Sequence, residues 1–207
     1  MPKDGTPTRE KILAESRALV LQNGFSGTSI DQILEKTGIT KGAFFYHFKN
    51  KNVLAQALIE DFAREDRENK AAALEHSKPY INNPKERLLA FIQLFIDMMS
   101  GLEEPYPGCL YISYTYEPNQ FDEEAKKVIK DIILEWRETL EMLLNDVHKT
   151  LEAKPTVDIK SLADNFNVIF EGAFVVSRAL EDNELIADQL KHYKNYIKLL
   201  IQSEFRI

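Results

Sequence analysis

Residues 40–51 carry small, aromatic and basic side chains in an order that suits contact with nucleic acid. The run is Thr-Lys-Gly-Ala-Phe-Phe-Tyr-His-Phe-Lys-Asn-Lys. Lysine, tyrosine and histidine donate hydrogen bonds to phosphate oxygens, and small residues let a backbone approach base pairs closely. Two hydroxyl residues upstream of this run, Thr28 and Ser29, are further hydrogen-bond donors. The candidate DNA-contacting residues are Thr28, Ser29, Thr40, Lys41, Gly42, Ala43, Phe45, Tyr46, His47 and Lys51.

Two short helices joined by a tight turn must hold these side chains. Thr28 and Asp31 form a Ser/Thr-x-x-Asp capping pattern, which predicts that the first helix starts here. Gly38 can take a positive φ, so it can end that helix and turn the chain sharply. Thr40 is then a suitable cap for a second helix that begins at Lys41.

The second helix is expected to bury one face and expose the other. Phe44 and Phe48 are four residues apart and should both point into a core. Residues 41–43 and 45–47 would then form the outer faces of this helix. In a helix-turn-helix, the start of the second helix enters the major groove of DNA. The alternative is a helix pair inside a purely helical bundle, with the whole aromatic run as core.

The runs at residues 23–30 and 38–51 resemble the signature of the TetR family of bacterial transcriptional regulators. The match covers roughly residues 8–54, with small, aromatic and basic positions in the same order. The resemblance implies a regulator, commonly a repressor, that binds operator DNA as a homodimer. Phe45 departs from the family, in which a tyrosine is usual; phenylalanine offers only an apolar contact, for example to a thymine methyl group.

Length and charge predict two domains. Residues 1–51 contain eight Lys and Arg against five Asp and Glu, a net charge of +3, while the other residues carry −10 and the whole chain −7. A basic head on an acidic body is expected when only the head meets phosphate. We predict a helix-turn-helix DNA-binding domain at 1–51 and a helical regulatory domain for ligand binding and dimerisation at 52–207.

The expected fold is all-α. Apolar residues recur at steps of three or four, and Gly and Pro residues separate the periodic segments. Helices are predicted from Thr6 to Asn23, and at 52–76, 84–100, 109–117, 122–152, 158–181 and 184–204.

Composition favours a cytoplasmic protein with no membrane segment. A single cysteine excludes an internal disulfide framework, and no signal-peptide pattern is present. The longest apolar stretch, 88–99, is too short to span a bilayer and is interrupted by Gln93 and Asp97.

The last two helices are apolar on more than one face, which predicts a partner. Gly172 and Ala173 would permit close helix packing. We expect a two-fold homodimer with a four-helix bundle, an arrangement that the family resemblance also implies; full burial within one chain is the alternative. Two heads about 34–36 Å apart would then bind two halves of a palindrome.

Aromatic and methionine residues on the middle helices are candidates for a pocket that binds an apolar or aromatic effector of unknown identity. Such a ligand would act by favouring one spacing of the two DNA-binding heads. The alternative is that these aromatic residues only form the hydrophobic core. Asn167 and Glu171 could anchor the ligand; alternatively Glu171 lies at a solvated rim or at the dimer seam. The candidates are Phe62, Phe95, Met98, Met99, Cys109, Tyr111, Tyr114, Trp136, Phe166, Asn167, Phe170 and Glu171.

Cys109 supports an alternative function, a regulator that senses electrophiles or oxidants. It lies at the start of a predicted helix, where free N–H groups favour a thiolate, but it could also be a small packing residue.

An enzyme is not expected, and neither a cofactor nor a metal is predicted. No histidine pair with metal-ligand spacing, phosphate loop or serine elbow occurs. A third possible function, that of an adaptor that binds proteins and not DNA, stays open.

Overall fold

The computed structural model describes residues 5–104, 106–117, 121–152 and 157–201, and all regular elements within these ranges are helical. This confirms the all-α prediction. The helices are α1 (Thr6–Gly27), α2 (Ile30–Thr37), α3 (Lys41–His47), α4 (Lys51–Ser77), a 3₁₀ turn (Lys78–Tyr80), α5 (Pro84–Met99), α6 (Leu110–Thr115), α7 (Glu123–Thr150), α8 (Ile159–Leu180) and α9 (Leu185–Ile201). The end predicted for the last helix, at 204, lies outside the described residues.

The chain divides into two compact units. The first contains the described parts of residues 1–65 and 107–131, and the second those of 66–106 and 132–207. Helices α4 and α7 contribute residues to both units. The structural boundary therefore falls within α4 and adds α6 to the first unit, whereas the functional division proposed at residue 51 stays a prediction.

The first unit is built around buried side chains from α1 to α4 and α6. Gly24 (φ +76°) interrupts α1, as its glycine predicts, but one further helical turn follows before α2. The ring of Tyr114 stacks on Phe121 with centroids 4.0 Å apart, and its hydroxyl donates to the carbonyl of Ala55 at 3.0 Å. Fully buried members of this core include Ile12, Val20, Phe25, Ile33, Phe44, Phe48, Leu54 and Leu58.

The start of α2 differs from the sequence prediction. Ser29, not Thr28, is the N-cap: its hydroxyl accepts from the Gln32 N–H at 3.2 Å, and the Gln32 side chain accepts from the Ser29 N–H at 2.7 Å. Thr28 is the C-cap of α1 and is also extended, but its side chain is directed to α1, so the cap of α2 falls one position later than predicted. Thr28 is buried, and its hydroxyl donates to the Gly24 carbonyl at 2.8 Å.

The turn into α3 matches the prediction. Gly38 has φ +66° and ends α2, and the Thr40 hydroxyl accepts from the Ala43 N–H at 3.2 Å. Phe44 and Phe48 are both buried. Helices α2 and α3 are thus fixed by a glycine turn, two caps and a shared apolar core.

The second unit packs helices around aromatic rings. Phe95 on α5 contacts Trp136 at 5.2 Å and Phe166 at 5.7 Å between centroids. The Trp136 indole N–H donates to Asp66 Oδ2 at 2.9 Å, and the Tyr193 hydroxyl donates to the Leu162 carbonyl at 3.1 Å. These bonds satisfy the polar atoms of large aromatic side chains within an apolar interior.

In the part of the chain that the structure describes, no helix combines the length and the apolar character that crossing a bilayer requires.

Two glycines of the helix-turn-helix should respond oppositely to alanine. Gly38→Ala should lower the free energy of unfolding by about 1 kcal/mol, because a side chain disfavours the left-handed backbone. Gly42→Ala should leave stability equal or raise it by up to about 1 kcal/mol, because Gly42 is helical and open space surrounds an added Cβ. Urea unfolding measures both variants, and equal effects would contradict the assigned backbone conformations.

Candidate nucleic-acid interface

Helix α3 presents its outer face to solvent. Tyr46 is 83% exposed and Phe45 38% exposed, and Lys41 and Gly42 are exposed as well. The opposite side carries the buried Phe44. Burial of one side of a seven-residue helix therefore fixes which side chains point outward.

The start of α3 is also sterically open. A Cβ added at Gly42 would meet no atom within 4 Å, and Ala43 is half-buried. The capping residues Ser29 and Thr40 are exposed at the starts of α2 and α3. A ligand as large as duplex DNA could approach the backbone of this helix end, as a recognition helix in the major groove requires.

Thr28 and Lys51 are poorly placed for the contacts predicted from the sequence. Thr28 is fully buried and offers DNA no surface. Lys51 is half-buried: its ammonium donates to the Phe25 carbonyl and lies 4.3 Å from the centroid of the Phe25 ring. Burial lowers the pKa of Lys51, and the charge of Glu117 opposes that shift. We therefore remove both residues from the candidate interface.

Two basic residues that the sequence analysis did not select lie near α3. Lys49 is exposed in the turn before α4. Arg9 is exposed on α1, with its guanidinium 5.5 Å from the centroid of the Phe48 ring. A Cβ added at Gly5 would lie 3.0 Å from His47 Cε1, so the start of α1 packs against the end of α3. Lys49 stood within the motif itself, whereas the position of Arg9 depends on tertiary packing.

The candidate ligand-binding residues fall into two separate sets. In the first unit, Phe62 packs edge-on against Tyr111 with centroids 4.8 Å apart. In the second unit, Phe95, Trp136 and Phe166 are buried against one another. The first set consists of Phe62, Cys109, Tyr111 and Tyr114, and the second of Phe95, Met98, Met99, Trp136, Phe166, Asn167, Phe170 and Glu171.

The polar members of the second set are Asn167 and Glu171, and both lie on α8. Asn167 is half-buried, and its buried Nδ2 has no hydrogen-bond partner among the described residues. Two open clefts of the second unit are lined by other residues, from α7, α8, α9 and the segments that flank α7 and α8. The ligand site stays a prediction.

Cys109 is buried and occupies the N-cap position of α6. Burial hinders attack on an electrophile, because reactive cysteines are usually partly exposed. The thiol-sensor alternative stays a prediction without support from the surroundings of this sulfur.

Comparison with known proteins identifies similarity over both parts of the chain. Residues 12–58 match the family model "Bacterial regulatory proteins, tetR family", and residues 84–193 match "Tetracyclin repressor-like, C-terminal domain". The repressor DhaR of Mycobacterium sp. strain GP1 is 21% identical over 184 residues, which cover 89% of this chain and 88% of that protein. The repressor NemR of Escherichia coli K12 is 25% identical over 122 residues, 59% of each chain.

Solved structures agree on the fold. The crystal structure of a TetR transcriptional regulator from Chloroflexus aurantiacus superposes with a TM-score of 0.75 at 29% identity, covering 94% of this chain and 96% of that one.

The contrast between two lysines tests this interface. Lys49→Ala should weaken binding to all DNA sequences alike and make the dependence of log affinity on log salt shallower by about 0.9 for each phosphate that is no longer neutralised. Lys51→Met should keep the salt slope and lower the free energy of unfolding by about 1 kcal/mol, because the Phe25 carbonyl loses its charged donor and keeps only the Thr28 N–H. Fluorescence anisotropy at several salt concentrations and urea unfolding measure the two effects; the reverse pattern would restore Lys51 as the phosphate-binding residue.

Proposed function

Since this chain belongs to the TetR family of bacterial regulatory proteins, we propose that it represses transcription by binding a palindromic operator as a homodimer. DNA-binding regulation of transcription follows from the family, which also makes the chain a regulator and not an enzyme. The proposal adds the symmetry of the operator, repression as the outcome, the cytoplasm as the location, and release from DNA by a small apolar or aromatic molecule.

The exposed outer face of α3 is the observation that carries the proposal. Lys41, Gly42 and Tyr46 lie on this face, with Ser29 and Thr40 at the helix starts beside it. In our proposal Lys41 and Tyr46 bind phosphate or base edges, and Gly42 keeps the backbone close to the groove. Phe45 supplies an apolar contact because it has no hydroxyl.

Two such faces are needed for tight binding. The head carries a net charge of only +3, so a single copy supplies little of the phosphate attraction on which affinity depends. A two-fold dimer doubles this attraction and matches two half-sites one helical turn apart.

The outer faces of α8 and α9 support the dimer. Six large apolar side chains there are exposed in the single chain: Val168, Val175, Val176, Leu180, Tyr196 and Leu199. The inner face of α8 already packs on its own unit through Phe166 and Phe174. A helix that is apolar on both faces is usually buried on both, and a second copy of the chain would cover the outer one.

Release by an effector would be a shift between two arrangements of the dimer. A ligand can drive such a shift only through its difference in affinity for the two arrangements. The aromatic cluster of Phe95, Trp136 and Phe166, with Asn167 next to it in α8, favours a ligand with an apolar or aromatic body and one hydrogen-bonding group. Because these rings already contact one another, such a ligand would have to displace some of them.

The proposal can be tested by selecting bound fragments from random DNA. We expect an enriched inverted repeat, protection of two half-sites about one turn apart, and affinity that falls steeply with salt. Repeating the selection with candidate aromatic compounds should identify those that reduce binding. Enrichment of a site without inverted symmetry would contradict the dimeric mechanism, and salt-independent binding would favour the adaptor alternative.

Val175→Asp should weaken the dimer. Because the interface is two-fold, each complex loses the burial of two valine side chains at ~1.5 kcal/mol each, which corresponds to roughly a hundredfold rise in the dimer dissociation constant. Met142→Asp is the matched control, since Met142 is 42% exposed on α7, outside the proposed interface. Analytical ultracentrifugation measures both; equal behaviour of the two variants would exclude the proposed α8 face.

A further inference from the structure

The junction between α1 and α2 is held by a side chain distant in sequence. At Gly24 the backbone leaves helical geometry, with φ +76° and ψ 166°. The break deprives the following N–H groups, those of Phe25 and Ser26, of partners within α1. Because Phe25 is buried, its N–H in particular needs another acceptor.

Glu117 supplies that acceptor. One carboxylate oxygen accepts from the Phe25 N–H at 2.8 Å, and the other accepts from the Ser26 N–H at 2.8 Å and from the Ser26 hydroxyl. A carboxylate bound to two adjacent backbone donors forms charge-assisted bonds in a fixed geometry. Glu117 follows α6 and belongs to the same compact unit as the helix-turn-helix.

A side chain at position 24 would have to displace the Glu117 carboxylate from its place at the junction. A Cβ added at Gly24 would lie 2.9 Å from Glu117 Oε1, closer than non-bonded carbon and oxygen atoms approach. The same glycine has the positive φ that begins the break. Gly24 therefore serves both the backbone turn and the approach of the carboxylate.

Lys51 completes the arrangement from the first residue of α4. Its ammonium donates to the Phe25 carbonyl, so both backbone polar groups of Phe25 are held by charged side chains. The Phe25 ring lies 4.8 Å from that of Phe121 and 5.7 Å from that of Tyr114. Phe25 thus joins α1 to α4 and to the segment that contains Glu117.

The charges support this arrangement. Burial by itself would raise the pKa of Glu117, but hydrogen bonds from Ser26 and Phe25 and the charge of Lys51 outweigh it, and the pKa lies below its usual value. The group is therefore a carboxylate near neutral pH, the form that accepts both N–H groups.

The junction leads directly into the helix-turn-helix. The Thr28 N–H donates to the Phe25 carbonyl at 3.2 Å, and α2 begins only two residues later, at Ile30. A change in the backbone at Phe25 would therefore alter the direction in which α2 leaves α1. Helix α3 follows after the short turn at Gly38, so a change in the direction of α2 would also displace α3.

We propose that Glu117 is a positioning residue for DNA binding, which fixes the orientation of the helix-turn-helix by binding the Phe25 and Ser26 backbone. The proposal rests on the proposed role of α3 in reading an operator. Glu117 itself does not touch DNA in this scheme. Its replacement should loosen the head while leaving the phosphate-binding groups in place.

Glu117→Gln is the main test, and Glu124→Gln is its control. Glu124 is exposed in the same segment, and its replacement changes the net charge equally. In the free protein we expect hydrogen exchange at the Phe25 and Ser26 amides to accelerate roughly tenfold in the Glu117 variant only, because a neutral amide replaces the charged acceptor.

Operator binding gives the second readout. Glu117→Gln should raise the operator dissociation constant roughly tenfold with an unchanged salt slope, because every phosphate-binding side chain is still present. It should also discriminate less against operators whose half-site spacing is altered by one base pair. A merely destabilised fold would bind less without losing that discrimination.

Ser26→Ala is a milder variant in case Glu117→Gln fails to fold, since it removes only the hydroxyl donor; a roughly twofold to threefold weakening is expected. Unchanged exchange at Phe25 and Ser26, or operator affinity equal to that of the Glu124 control, would overturn the proposal. If the wild-type protein bound no specific DNA site, the proposed function would fail instead, and the exchange experiment would still judge the role of Glu117 at the junction.

A double substitution tests the steric part of the argument. Gly24→Ala should weaken operator binding through both the positive φ and the clash with Glu117. Adding Glu117→Ala removes the clash, so the two effects should combine less than multiplicatively. Multiplicative effects would show that Gly24 and Glu117 act separately and would overturn their coupling.

Discussion

Burial of Phe44 and Phe48 is the constraint on which the outer face of α3, the proposed DNA-binding surface, depends. Helix α3 has seven residues, too few to be stable as an isolated helix in water. Its existence therefore depends on tertiary burial of these two rings, helped by the Thr40 cap and the turn at Gly38. Because the helix has about 3.6 residues per turn, fixing the buried side also fixes the direction of Lys41, Gly42 and Tyr46.

The basic residues of the head have different roles according to their surroundings. Lys49 is exposed, whereas Lys51, two residues later, is committed to the Phe25 carbonyl. Arg9 lies over the Phe48 ring and so links the start of α1 to the end of α3. The positively charged side chains of the head thus fall into two groups: some are free to contact phosphate, and others stabilise the fold.

The second unit combines a closed aromatic interior with an open apolar exterior. The aromatic rings of this interior pack against the inner face of α8, and the Tyr193 hydroxyl donates to a carbonyl of the same helix. Val168, Val175 and Leu180 leave the opposite face apolar and more than half exposed. Monomeric soluble proteins rarely expose a large continuous apolar surface. An apolar face of this kind is therefore typical of a helix that a second copy of the chain covers. The proposed dimer interface and the interior packing of this unit therefore involve opposite faces of the same helix.

The sequence by itself determined the helical fold, the cap at Thr40, the turn at Gly38 and the outward face of α3, since these features depend on residues at most a few positions apart. It placed the start of α2 one residue early, because the Thr28 and Ser29 hydroxyls are equivalent until α1 is known to continue to Gly27. Only the tertiary structure decided that the Lys51 ammonium donates to the Phe25 carbonyl and that the Glu117 carboxylate accepts from the Phe25 N–H at the break in α1. Glu117 and Phe25 are 92 positions apart, and no local pattern of hydrophobicity or charge encodes an interaction over that separation.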